Sequence, residues 1–351
     1  MIPHAFGESG EWTVGVEEEL FVVDRGSLRP VPAPPSLFDG KRLKTELHAA
    51  VVELNTGVCA SVADAREELR ELRAEAKRRA AEAGLDVAAT GTWPPAVPEE
   101  QEVTPEDVYL RFVDYAGPSA RRQFCSGLHV HVGVASPEAC MRALEGVLPW
   151  LPVLLAASAN SPYLAGAENG LASNRAEILA LLPRSGAPPV FASYGDWERF
   201  AERLVELGLA DTYTRIWWDV RPHPRFGTLE IRMPDQSTQL DATVAFAALV
   251  QALVAAANPE RATDRGIYAQ NRWAALRFGA SASLIHPDGR GLASVPDLLA
   301  ELEELVRPSA ERLGAADLLV PLRGLAQADE QLAIGRSQGL RALCERLIAW
   351  T

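Results

Sequence analysis

Only four cysteines occur among the 351 residues, Cys59, Cys125, Cys140 and Cys344, and no two of them form a Cys-x-x-Cys pair. That argues against a disulfide framework and against the usual cysteine zinc motifs. Positive charge is also scarce, with Lys+Arg 34 against Asp+Glu 47 and a net charge of −13, so neither a nucleic-acid partner nor a membrane surface is expected. No apolar run reaches the ~20 residues of a bilayer span. The longest, 147–159 and 242–257, read as buried helices, and the first is interrupted by Pro149 and Pro152. The first eleven residues carry no Lys or Arg and no apolar block, so no secretory signal is expected and the cytoplasm is the default. The chain lacks a Gly-x-x-x-x-Gly-Lys-Ser/Thr loop, its Gly166 and Gly170 do not have dinucleotide-fold spacing, and it has no Gly-x-Ser-x-Gly elbow. Covalent hydrolase chemistry is unsupported, and any nucleotide would have to be held on a sheet.

What is present is a globular composition, 48% hydrophobic and 23% charged. Residues 12–24 alternate, with Val14, Val16, Leu20 and Val22 on one face and Gly15, Glu17, Glu19 and Phe21 on the other, the period of a strand. After a loop rich in proline, 50–55 reads as a second strand, with Glu53 and Asn55 on one face. Ser61 or Asp64 caps an amphipathic helix that Gly84 stops. Residues 85–92 form a short strand candidate, and 93–107, with four prolines, a surface loop with the length of a lid. Residues 124–134 alternate again, His129 and His131 against Leu128, Val130 and Val132. Further strands are expected over 213–220 and 226–233. From about 241 to 351 the chain reads as mainly helical. Strands scattered unevenly among helices predict an α+β fold with a largely antiparallel sheet and helices packed on one face, as a single catalytic domain over 1–351.

Four strand candidates thus carry polar residues on one face: Glu17/Glu19, Glu53/Asn55, His129/His131 and Glu230/Arg232. Clustered carboxylates repel one another and lose solvation unless cations neutralise them. Oxygen donors with at most a histidine favour Mg²⁺ or Mn²⁺ over zinc, and Mg²⁺ keeps positions open for phosphates. Glu17 and Glu19 alone would more often be a solvated sheet face; four pairs together point to a site. Glu18 faces the other way and falls outside it. Arg232 is either a plain cross-strand partner of Glu230 or a guanidinium placed on a phosphate.

The stretches GVEEELFVVD (15–24), VELNTGVC (52–59), CSGLHVHVG (125–133), SNRAEILALLPRSGAP (173–188), WWDVRPHPRFGTLEIRMP (217–234) and NRWAALRFG (271–279) run in the order found in a known family. The chain resembles the bacterial carboxylate-amine ligases of the glutamate-cysteine ligase type 2 group. The resemblance implies a glutamine-synthetase-like catalytic sheet, ATP, divalent metal and small amino-acid substrates, and suggests a homodimer. It implies metal ligation by Glu17, Glu19, Glu53 and Glu230, a phosphate contact by Arg232, and a substrate or metal contact by the histidine pair, His131 before His129. It offers Arg175, Arg221 and Arg272 for carboxylate or phosphate binding. Glu46 precedes the Glu53 motif and is open to a site or a surface role. The implied reaction transfers the ATP γ-phosphoryl group to a carboxylate, and an amine then displaces phosphate to give an amide, as in γ-glutamylcysteine formation, with the amine unassigned. A phosphotransferase of the guanidino-kinase kind and a silent nucleotide- or amino-acid-binding relative stay open as alternatives, with a metal-dependent hydrolase behind them.

Overall fold

The computed structural model describes residues 1–259 and 262–351. Its centre is a seven-stranded antiparallel sheet of β1 (Val14–Asp24), β2 (Leu43–Thr45), β3 (Val51–Asn55), β4 (Leu85–Ala88), β5 (Leu128–Gly133), β6 (Val220–His223) and β7 (Thr228–Ile231). The spatial order is β6-β7-β5-β1-β3-β2, and β4 pairs with the last residues of β1. The α+β class expected from the pattern is the class observed. Because strand side chains alternate with a period of two, the register decides which residues share a face. Glu17 lies opposite both Asn55 and His129, Glu19 opposite Glu53, and Glu230 opposite both His131 and Arg221.

The other face carries Val16, Leu20, Val52, Leu54, Val130 and Leu229, each at most 1% exposed. Burying each such side chain contributes about 1.5–3 kcal/mol. Pro137–Val147 packs against β6 and β7 on this face, and two long helices cover β1, β3 and β5. One is Val62–Glu82, whose start is fixed by a reciprocal Ser61–Asp64 capping box. The other is Leu240–Ala256, buried without interruption from Ala242 to Val254, which accounts for its apolar run. Pro137–Ser158 is long and apolar enough to cross a membrane by length and composition, yet 72% of its apolar window is buried inside the protein; it is part of the core.

On the carboxylate face, Phe21 and Val51 share a cluster with Trp93, Phe124, Leu343 and Leu347. The polar strip of that face is thereby closed at one end by packing that includes the C-terminal helix Gln327–Trp350.

Three expectations are corrected. The strand expected over 213–220 begins only at Val220; Tyr213–Arg215 is a 3-10 turn and Trp217–Trp218 pairs with Ser185–Gly186 instead. The proline-rich 93–107 segment is pinned: the Trp93 indole donates to the Leu28 carbonyl (2.8 Å), and Thr104 bonds the Leu47 carbonyl (2.9 Å). The C-terminal third also contains a hairpin, Ser283–Ile285 with Leu292–Ser294. Edge strand β2 has only three residues, too few to show alternation, and the amphipathic helix Asp107–Ala116, which buries Phe112 and Val113, is a further element beyond those expected.

Candidate active site

Two groups of ligand-competent side chains form on the polar face. In each, one donor atom from every residue lies within 4.8 Å of the others: Glu17 with His131 and Glu230, and Glu19 with Glu46 and Glu53. The sheet builds both, since five of the six come from β1, β3, β5 and β7. Glu46 comes from the segment between β2 and β3, next to Leu47, whose backbone carbonyl holds Thr104. The structure therefore places Glu46, whose role the sequence left open, beside Glu19 and Glu53.

Electrostatics divide the two groups. Burial would raise Glu17, but His129 (Nδ1 to Oε2, 3.2 Å) and His131 (Nε2 to Oε1, 3.4 Å) hold it well below the usual carboxylate range. Glu230 is buried too, and Arg221 and Arg232, both bonded to its carboxylate, likewise hold it well below that range. Among the described residues no arginine or histidine is bonded to a carboxylate of the second group, and Arg232 lowers Glu46 only from a distance. Burial, then repulsion from Glu17 and Glu46, raises Glu53 well above its ordinary value. Burial and the neighbouring Glu19 push Glu46 up to about 7. Lys44, 3.8 Å from Glu53, is the nearest lysine contact, and it also donates to Asn55 at 2.9 Å.

Several donors are already oriented. The Gly127 N–H donates to Glu19 (2.6 Å), and His131 Nδ1 lies 3.0 Å from the Thr228 hydroxyl. His131 Nε2 is buried without a well-formed hydrogen bond, 3.4 Å from Glu17 and 3.9 Å from Glu230. Five carboxylates and one imidazole with an orphaned nitrogen match hard divalent cations such as Mg²⁺ or Mn²⁺, and the residues present fit that group.

The arginines divide as well. Arg232 reaches the face beside Glu230 and lines a cavity of about 140 Å³ with Glu19, Glu46 and His129. Arg175 lines the same cavity, but its guanidinium donates to the Met233 and Arg232 carbonyls, both at 3.0 Å. It also fills the space over Gly127, where a Cβ would fall 2.1 Å from Nη2. Arg221 spends its donors on Glu230 and on the carbonyls of Thr214 (2.7 Å) and Ile216 (2.8 Å). Arg272 is not brought to the cavity; it bonds Asp219 (2.9 Å) and the Ala176 carbonyl (3.0 Å). The far wall, made by Tyr109, Phe112, Leu179, Trp217 and Arg215, has no local signature, because its residues converge from three separate segments. Glu18 lies outside the polar face, as its position in the alternation requires.

Residues 13–339 match the family model described as glutamate-cysteine ligase family 2. The chain is similar to a Sorangium cellulosum protein named "Putative glutamate--cysteine ligase 2", 37% identical over 359 residues, with 97% of this chain and 96% of the relative covered. It is similarly close to "Putative glutamate--cysteine ligase 2-3" of Rubrobacter xylanophilus, 38% identical with 95% of each chain covered. Its fold is that of the Francisella tularensis glutamate-cysteine ligase solved with AMP, at TM-score 0.71 and 14% identity, covering 96% of this chain and 88% of the other. A bifunctional glutathione synthetase from Pasteurella multocida aligns at TM-score 0.62 and 16% identity over 96% of this chain and 49% of its own.

Proposed function

The chain belongs to glutamate-cysteine ligase family 2, and from that membership and the site geometry we propose an ATP-dependent carboxylate-amine ligase working as a single catalytic domain. The observation that carries the reading is the pair of adjoining carboxylate groups on one sheet face, Glu17/His131/Glu230 and Glu19/Glu46/Glu53, with Arg232 beside them. Divalent cations held there would neutralise nucleotide phosphates and the carboxylate to be activated.

The chain's own residues position and compensate charge. Glu17 and Glu230 are kept ionised by their histidine and arginine neighbours. Arg232 stands at the junction of Glu230 and the cavity, placed to offset charge on a transferring phosphoryl group. In the balanced reaction a substrate carboxylate oxygen attacks the γ-phosphorus of ATP and ADP leaves. An amine then attacks the acyl carbon, loses a proton and expels inorganic phosphate, leaving an amide. No protein nucleophile is required, and catalysis rests on proximity and electrostatics. The cavity between the Glu19 group and the Phe112–Trp217 wall is where the carboxylate and amine would meet. Glutamate is the proposed carboxylate and cysteine the first amine to try.

The test is ADP release with ATP, Mg²⁺ and glutamate, first with cysteine and then with a panel of amines, identifying products by mass. Amide formed in step with ADP is the expected result, and it would separate this ligase from a phosphotransferase, which stops at a phosphorylated product. Glu→Gln at Glu17, Glu19, Glu53 or Glu230 should lower turnover by orders of magnitude in a folded chain. Full activity in all four variants would overturn the assignment.

A further inference from the structure

The two carboxylate groups lie at different heights along the strands. Glu19 and Gly127 mark the end nearer the cavity, Arg232 and His129, which also line it, lie level with Glu17, and the Gly15–His131 pair leads toward the opposite end. Beyond His131 in that direction, Gly133 pairs with Thr228, and the turn Pro224–Phe226 joins β6 to β7. Gly227 closes this turn at φ +66°, and a Cβ there would fall 2.2 Å from the Ala5 carbonyl oxygen. The turn is thus held tightly against the N-terminal segment.

It brings Phe226 back over the polar face. The ring stacks on His223 with centroids 4.2 Å apart and planes 13° from parallel, and it meets His131 edge-on at 5.5 Å. Despite these contacts Phe226 is 45% exposed, while His223 is only 6% exposed. The Arg225 guanidinium carbon lies 5.8 Å from the same ring centroid. A rigidly backed aromatic ring, nearly half exposed and with the Arg225 guanidinium over it, therefore stands at the rim of the Glu17/His131/Glu230 group, at the end away from the cavity.

We propose that Phe226, backed by His223, is the platform on which the purine base of the nucleotide stacks, the phosphates running from it toward Glu17, Glu230 and Arg232. This deepens the ligase reading and rests on it for the identity of the ligand. The direction follows from the layout. The cavity end has a wall of Phe112, Leu179 and Trp217 beside the Glu19 group, while the opposite end offers the partly exposed Phe226 ring next to His131. Aromatic platforms bind bases through stacking that needs no hydrogen-bond readout.

The test compares ADP with inorganic tripolyphosphate, both with Mg²⁺, by titration calorimetry on the full chain and on Phe226→Ala and Phe226→Trp. Loss of stacking should weaken ADP about ten-fold or more in Phe226→Ala, leave tripolyphosphate within about twofold, and be reversed in Phe226→Trp. A Phe226→Ala chain that holds ADP as tightly as the parent, or loses both ligands in equal measure, overturns the platform alone. A parent chain that binds neither ligand overturns the ligase reading and the platform with it.

Discussion

Glu18 and Arg73 form a bidentate ion pair in which the side chains are 0% and 3% exposed, with contacts of 2.6 and 2.8 Å. Thr243 and Gln236 donate to the same carboxylate, at 2.7 and 2.8 Å, and Arg73 bonds the Thr238 carbonyl at 2.7 Å. The pair ties β1, the first long helix and the chain entering Leu240–Ala256 into one unit, directly behind Glu17 and Glu19. Removing one partner strands a buried charge, so Arg73→Leu should cost about 3–5 kcal/mol, measured by urea unfolding. A loss below about 1 kcal/mol would show that water or a rearranged neighbour reaches Glu18.

Metal binding should release protons. Glu46, pushed up to about 7, is only partly ionised at neutral pH, and Glu53 is raised in the same direction, so a cation bound between them displaces protons. Mg²⁺ affinity should therefore climb as pH rises through about 7 and level off above the raised values. Calorimetry in two buffers of different ionisation enthalpy reads the released protons, and Glu46→Gln should reduce their number. Pure buffer-independent binding at pH 6.5 would contradict this arrangement.

His48 sets an acid limit on stability. It is buried, stands edge-on to Phe124 at 5.3 Å and shares a 3.2 Å hydrogen bond with the Arg121 carbonyl, and burial pushes it down to about 4. A folded-state value below the unfolded one of about 6.5 means that the contribution is complete above pH 6.5 and is lost as pH falls toward 4. The difference corresponds to about 3 kcal/mol. His48→Phe should flatten the unfolding free energy over that window relative to the parent. Parallel pH profiles for the two chains would refute it.

Arg272 is committed to Asp219, to which Tyr268 also donates at 2.7 Å. Arg272→Met should therefore lower stability by about 3 kcal/mol in chemical denaturation. A stable variant with a raised KM for ATP would instead put this guanidinium on the nucleotide.

The site was legible wherever it rests on alternation. Glu17/Glu19, Glu53, His129/His131 and Glu230/Arg232 fall on one face because each strand repeats every two residues, and the register preserves that parity across β3, β1, β5 and β7. The α+β class followed from the same periodicity, and the ordered motifs pointed to the family that the comparisons establish. The Ser61 cap and the two covering helices were equally local.

Other features depend on contacts between distant segments, which no spacing encodes. Glu46 joins Glu19 and Glu53 only because the chain between β2 and β3 folds over the strand ends. Whether Arg175 and Arg272 stay free or are spent on the Met233 carbonyl and Asp219 depends on partners more than fifty residues away. The cavity wall and the Phe226 platform belong to the same class. The sequence by itself determined which side chains share a face, since strand geometry is local. Only the tertiary structure decided which charges meet, which are neutralised and where the face is open, since those are set by burial and long-range packing.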